Sequence, residues 1–389
     1  MTPRLKGVVW QRDGEQLRVV YDIRDYFLLA DPDRTVETLL ELLREGGRTV
    51  AELADVFAER GVPVPVDDLA AAVELFDSHG LLEDEQRLGR LDQPERERFF
   101  SNLAFFESFA SLARSREDFQ QTLRDAHVLV LGTGGLNSNT IPHLCGLGVG
   151  RLTLLDRDTV ELRNFARQYL YRHHDIGARK VLLAAEWVRG FDPAIKVEAL
   201  DAGVDSAAQV GELLDRLAPD VVMSGIDSPP EVDDWVDAGC VSRGVPYVRG
   251  GMWVTQGLVW SVEPGVSACR ACGRTGGDRP DATPEAGPVA NEGAVFALYA
   301  DKPRTNRGIG PVAGLLGALC AFEVLRYLTR FEPPAYAGRP IIIDFANGCA
   351  IRQDDPWLPA PDCPQCGVDR PGARPDRTPD QASGGGETR

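Results

Sequence analysis

Residues 127–138 read His127-Val-Leu-Val-Leu-Gly132-Thr-Gly134-Gly135-Leu-Asn137-Ser138, a buried-type strand that runs straight into a glycine-rich turn. Glycines let a backbone turn tightly and approach a phosphate, and the helix that follows offers free N–H groups. Alone this is a generic nucleotide signal, because a tight strand-to-helix turn without any ligand reads the same way. The segments after it restrict the reading. The pattern predicts a helix over 137–149, a strand at Arg151–Asp156, a helix at Ala178–Gly190 and a strand at Lys196–Leu200. A helix at Val210–Leu217, a strand at Asp220–Gly225 and a helix at Trp235–Arg243 follow. Strands and helices alternating at this rhythm build a parallel α/β sheet.

The 389 residues exceed what one such sheet needs. Residues 1–85 read as a separate small module. Val8–Trp10, Leu17–Tyr21 and Tyr26–Ala30 look like strands, and Thr35–Arg44, Thr49–Arg60 and Val66–His79 like helices. Thr49 with Glu52 three residues on is a capping-box signature. Three strands and three short helices predict a winged-helix-like α+β module. Residues 1–90 of the chain hold 11 Arg/Lys against 19 Asp/Glu, which argues against DNA. A sheet edge beside a helix suits an added peptide strand instead, although a plain packing role fits as well. Residues 86–125 are charged and aromatic and read as a helical linker. Residues 273–307, rich in Gly, Pro, Asp and Arg, read as a mobile crossover loop. Gly310–Arg330 reads as an apolar helix of small residues, and 368–389 as a disordered tail.

The net charge of −17 argues against nucleic acid and against anionic membranes. No run of eighteen apolar residues occurs, and no apolar stretch follows Met1–Gly7, so a soluble cytoplasmic protein is expected.

The chemistry is carried by side chains beyond the glycine turn. Leu154-Leu-Asp156-Arg-Asp158 closes the second strand with an acid placed to hold a ribose hydroxyl. A dehydrogenase fits to this point. It fits poorly with Asn164-Phe-Ala-Arg167-Gln168, a set suited to a triphosphate and a carboxylate, which a hydride site does not need. Lys180, one of only four lysines, opens a helix where it suits phosphate charge. Asp227 ends the strand Val221-Val-Met-Ser-Gly225-Ile-Asp227, where a Mg²⁺ ligand would sit. Cys269-Arg-Ala-Cys272 and Cys363-Pro-Gln-Cys366 are two knuckle-like pairs, and paired cysteines in a long cytosolic chain suggest metal more than disulfides.

These residues, in this order, resemble the ThiF/MoeB superfamily of adenylating enzymes, relatives of ubiquitin-activating enzymes. The resemblance covers residues 95–367 and is strongest to the peptide-adenylating enzymes of microcin C-type peptide-nucleotide biosynthesis. Those carry a small N-terminal peptide-clamp domain as well. The resemblance implies a Rossmann-like domain over 126–367 with a mixed, mainly parallel sheet. It implies ATP held by Gly132, Gly134, Gly135, Asp156, Asp158, Asn164, Arg167, Gln168, Lys180 and Asp227. Asn164, Arg167, Lys180 and Asp227 would be catalytic, Mg²⁺ would sit on Asp227, and a structural Zn²⁺ on Cys269, Cys272, Cys363 and Cys366. It further implies a homodimer that adenylates the C-terminal carboxylate of a ribosomal peptide.

Two positions depart from the family pattern: Asn137 replaces a third loop glycine, and Ser101 stands where a second arginine of an upstream motif reaches the partner's ATP, with Arg98 nearby. The thioester cysteine of ubiquitin-type enzymes is missing from the crossover loop. Cys145, Cys240, Cys320 and Cys349 read as inert core residues in helix or strand contexts. Two other roles stay open: a non-catalytic leader-peptide-binding partner of a separate modifying enzyme, and an activator of a ubiquitin-like sulfur carrier.

Overall fold

A computed structural model describes residues 1–22, 26–275 and 308–367. The crossover loop expected at 273–307 lies almost wholly outside these residues, and the tail expected from 368 lies entirely outside them. The chain divides into two compact units, Met1–Asp125 and Ala126–Arg389.

In the first unit, β1 (Pro3–Leu5) pairs antiparallel with β5 (Leu82–Asp84), and β2 (Val9–Asp13), β3 (Gln16–Val20) and β4 (Tyr26–Ala30) form an antiparallel sheet. Helices α1 (Thr35–Glu45), α2 (Val50–Glu59) and α3 (Val66–Ser78) lie between β4 and β5 in the chain. The capping box forms: Glu52 Oε2 accepts from the Thr49 N–H at 2.7 Å, and Thr49 Oγ1 accepts from the Glu52 N–H at 3.4 Å. Leu17 and Val19 of β3 meet Leu40, Leu43, Leu53, Phe57 and Leu69 of the helices in one core. The pairing of β1 with β5 is absent from the sequence reading, since a three-residue strand carries no periodicity.

Helices α4 (Gln93–Arg98), α5 (Phe100–Glu107) and α6 (Arg116–Asp125) belong to this unit rather than forming a free linker. Buried Lys6 donates to the carbonyls of Gly80 (2.8 Å) and Ala110, Arg116 pairs with the buried Glu83, and the Leu112 N–H donates to Asp77 at 2.8 Å.

The second unit carries an eight-stranded sheet. Its strands are β6 (His127–Leu131), β7 (Arg151–Leu155), β8 (Lys196–Leu200), β9 (Val221–Ser224), β10 (Tyr247–Trp253), β11 (Gln256–Val262), β12 (Ile341–Asp344) and β13 (Ala350–Gln353). The spatial order is β13-β12-β11-β10-β9-β6-β7-β8. Strands β6 to β10 run parallel, and β11 to β13 are added antiparallel, so the sheet is mixed and mainly parallel. Every residue of β6 and β9 is buried, as central strands covered on both faces require. The chain moves outward from β6 to β7 and β8, then returns to the other side of β6 as β9. That reversal is the switch point where open α/β sheets bind ligands.

The crossovers are α7 (Asn137–Leu147), α8 (Lys180–Phe191), α9 (Ala207–Leu217) and α10 (Val232–Arg243), followed by α11 (Arg270–Thr275) and α12 (Gly310–Thr329). Helix α12 is long and apolar enough to cross a membrane by composition. It packs instead on α7 and on β9 to β11, and it buries Glu323. That carboxylate accepts from the Ser261 hydroxyl (2.7 Å) and from the N–H groups of Tyr336 (2.8 Å) and Ala335 (3.0 Å). A carboxylate so satisfied marks a protein core rather than a lipid contact.

Candidate active site

The glycine turn leaves β6 at the switch point. Gly132 adopts φ +83°, and a Cβ there would come within 2.8 Å of Ile226 Cγ2, so the turn after β6 lies against the turn after β9 that carries Asp227. A Cβ on Gly135 would lie 2.9 Å from Arg167 Nε, which places the Arg167 side chain directly over the loop. Gln168 lies beside Gly134, and its buried Oε1 has no partner among the described residues. The Arg167 carbonyl accepts from Asn139 Nδ2 at 3.1 Å and from Ser138 Oγ at 3.3 Å, which ties the Arg-Gln segment to the start of α7.

On the other side of β6, the Asp156 carboxylate accepts from the Thr133 N–H (2.6 Å) and hydroxyl (2.9 Å) through Oδ2, and from the Asp158 N–H (2.8 Å) through Oδ1. Lys180 is buried and pairs with Asp158 at 3.0 Å. Asn164 is buried, and its Oδ1 accepts from the Glu161 N–H at 2.8 Å, which shapes the short turn before Arg167. Asp227 is exposed. The fold thus gathers the glycine turn, Asp156, Asp158, Arg167, Gln168, Lys180 and Asp227 at the carboxyl ends of β6, β7 and β9. Among the described residues Asp227 belongs to no group of three or more potential metal ligands. An exposed acid at this strand end suits Mg²⁺, which keeps several waters and takes one or two carboxylates plus substrate phosphates.

Asn137 does not project into the turn. It is buried, and Nδ2 donates to the carbonyls of Leu131 (3.0 Å) and Gly132 (2.8 Å). A side chain at Gly225 would collide with it, so Asn137 fills the space between the two turns. Two side chains absent from the sequence reading also belong here. The Tyr171 hydroxyl lies 2.7 Å from the Thr133 carbonyl and 2.9 Å from Thr133 Oγ1. Arg249 on β10, opposite Ser224 of β9 in register, is buried and pairs with Asp233 at 2.6 Å. A tyrosine three residues beyond the Arg-Gln pair and an arginine inside an apolar strand were the available signals.

The four paired cysteines meet. Sulfur separations are 3.8 Å for Cys269–Cys272, 3.6 Å for Cys269–Cys363 and 3.3 Å for Cys272–Cys366. Metal–sulfur bonds of about 2.3 Å in a tetrahedron put sulfurs roughly 3.8 Å apart, so the donor set fits a four-coordinate ion. The Ala360 N–H donates to Cys272 Sγ (3.4 Å) and the Gln365 N–H to Cys363 Sγ (3.5 Å). Burial pushes the Cys363 thiol up, but hydrogen bonds from the Cys366 and Gln365 N–H groups and from the Cys272 and Cys269 thiols together outweigh it and bring it down to about 7. Cys145, Cys240 and Cys320 are fully buried, and burial pushes the Cys240 and Cys320 thiols up, away from nucleophilic use. Cys349 departs from the expectation. It is exposed at φ +60° in the turn between β12 and β13, where no apolar neighbours cover it.

A glycine turn at the switch point of a mainly parallel sheet, with acids and cations at the strand ends, defines a nucleotide-binding α/β enzyme domain. Residues 107–365 match the ThiF family, and the chain belongs to that family. It is an ATP-dependent adenylyltransferase of the ThiF/MoeB superfamily. It is 30% identical over 252 residues to the molybdopterin-synthase adenylyltransferase of Escherichia coli strain K12, covering 64% of this chain and 90% of that protein. The SAMP-activating enzyme E1 of Haloferax volcanii is 29% identical over 248 residues, covering 64% and 83%. Among solved structures, E. coli MccB with ATP superposes with a TM-score of 0.69 at 18% identity, covering 94% of this chain and 100% of that one. PaaA superposes with a TM-score of 0.65 over 90% and 98%. At that identity the likeness establishes the fold.

Proposed function

We propose that this adenylyltransferase activates the C-terminal carboxylate of a ribosomally made peptide in natural-product biosynthesis. One observation carries the reading. The MccB likeness takes in 94% of the chain, first unit included, whereas the curated relatives cover 64%. MccB is a microcin C7 biosynthetic enzyme solved in complex with N-formylated MccA. The first unit would act as a winged-helix-like module that holds the peptide, in a cytoplasmic homodimer.

In the reaction a peptide carboxylate oxygen attacks the α-phosphorus of ATP. A phosphorus–oxygen bond forms, the bond to the bridging oxygen breaks, and pyrophosphate leaves with its electron pair. The chain's part is positioning and charge. Arg167 and Lys180 would face the phosphates, the glycine turn would lie beneath them, Gln168 would offer its Oε1 to a donor on the substrate, and Asp156 would hold the ribose. Asp227 would hold Mg²⁺, which neutralises phosphate charge when bound. Zn²⁺ in the four-cysteine site would have a structural role, since all four positions are filled by protein.

The names of the curated relatives favour a second reading, in which the activated carboxylate belongs to a ubiquitin-like sulfur carrier. Pyrophosphate release separates the two. Release with a peptide encoded beside the gene, and none with a sulfur-carrier protein, is the expected result. The opposite pattern would replace the peptide reading.

A further inference from the structure

Asp156 is the acid that the proposed function assigns to the ribose, and its surroundings limit how it can act. A carboxylate offers about four lone-pair positions. Three are used inside the protein: two on Oδ2 by the Thr133 N–H and hydroxyl, one on Oδ1 by the Asp158 N–H. The residue is 7% exposed, so it is buried but not sealed. One acceptor position remains, on Oδ1, enough for a single hydroxyl.

The direction of the Thr133–Asp156 bond is forced. An ionised carboxylate has no proton to give, so the one hydroxyl proton of Thr133 goes to Asp156. Thr133 Oγ1 is then left to accept from Tyr171, whose single hydroxyl proton is shared between it (2.9 Å) and the nearer Thr133 carbonyl (2.7 Å). Tyr171 is 3% exposed, and burial pushes its hydroxyl pKa up, so the phenol keeps its proton. A relay of contacts therefore runs from Tyr171, which holds Thr133 at both its carbonyl and its hydroxyl, through Thr133 to Asp156. Tyr171 follows the Arg167-Gln168 pair by three residues, so the relay also joins the ribose side of the turn to the segment over its phosphate side.

We infer that Tyr171 is a positioning residue for nucleotide selection. Through Thr133 it holds the Asp156 carboxylate so that its one open lone pair meets one ribose hydroxyl. The inference rests on the ribose reading of Asp156, and the test separates the two.

The experiment measures the dissociation constants of Mg·ATP, Mg·2′-deoxyATP and Mg·3′-deoxyATP on the full chain by calorimetry, with inorganic pyrophosphate as a probe that lacks ribose. The wild type should prefer ATP over one of the two deoxynucleotides by about tenfold or more, the worth of one hydrogen bond to a charged group. Tyr171→Phe keeps the ring and removes the hydroxyl. It should reduce that preference at least threefold, with pyrophosphate affinity unchanged. Thr133→Val, which keeps the backbone N–H, should do the same, and the double variant should lose little more. Asp156→Asn is the control. If it abolishes the preference while Tyr171→Phe and Thr133→Val leave it intact, the Tyr171 inference falls and the ribose reading stands. If Asp156→Asn leaves the preference intact, both fall. Equal losses for all three nucleotides and for pyrophosphate in Tyr171→Phe would mark a purely structural tyrosine and overturn the inference.

Discussion

Asn137 shows how much one side chain's direction decides. As a residue type in a glycine's place it threatens to crowd a nucleotide. In the fold it turns inward and satisfies the carbonyls of Leu131 and Gly132. Asn137→Gly should therefore cost about 1–3 kcal/mol of stability, because two buried acceptors lose a donor. Urea denaturation reads this. Unchanged stability with faster turnover would show that the side chain had only been an obstruction. The gathering of Asp156, Arg167, Gln168, Lys180 and Asp227 near one switch point was expected from the order of their segments and from the family resemblance together. Tyr171 and Arg249 were not, since their parts come from partners, Thr133 and Asp233, that no local pattern connects to them. Cys349 was misread for a related reason: a turn between two short strands has no period to reveal it.

At the scale of elements, the alternating strands and helices from β6 to α10 were predicted to within a few residues. Both period and length favoured them, and both central strands are continuous apolar runs. The hairpin of β10 and β11 and the edge pair β12 and β13 were not drawn. Gly250 and Gly251 interrupt β10, and β13 is exposed along its whole length. These strands matter because the four-cysteine cluster closes just beyond them: Cys269 and Cys272 follow β11, and Cys363 and Cys366 follow β13. Cys363→Ser should lower bound zinc from near one equivalent per chain to a small fraction and reduce thermal stability, since structural metal binding is folding free energy. Metal analysis of the purified variant beside the wild type checks this. Full retention of zinc would show that Cys363 is not a ligand.

At the scale of the molecule, the separation of an N-terminal module from a nucleotide-binding domain was visible in the change of rhythm near residue 126. The sequence ends that module at residue 85 and reads 86–125 as a helical linker, because α4 to α6 carry the charged composition of one. Contacts made by Lys6, Glu83 and Asp77 across long stretches of sequence hold them in the first unit instead. Any truncation meant to remove that unit belongs at Asp125. The central claim is that this molecule forms an acyl-adenylate at the site between the glycine turn and Asp227, and ATP–pyrophosphate exchange tests it most directly. With peptides encoded beside the gene, exchange should appear only when the matching peptide is present. It should fall at least a hundredfold in Asp227→Ala, the scale expected when transition-state charge loses its support, with peptide binding retained. Absence of exchange in a wild-type protein that binds both ATP and peptide would contradict the account and leave a presenter of leader peptides in its place.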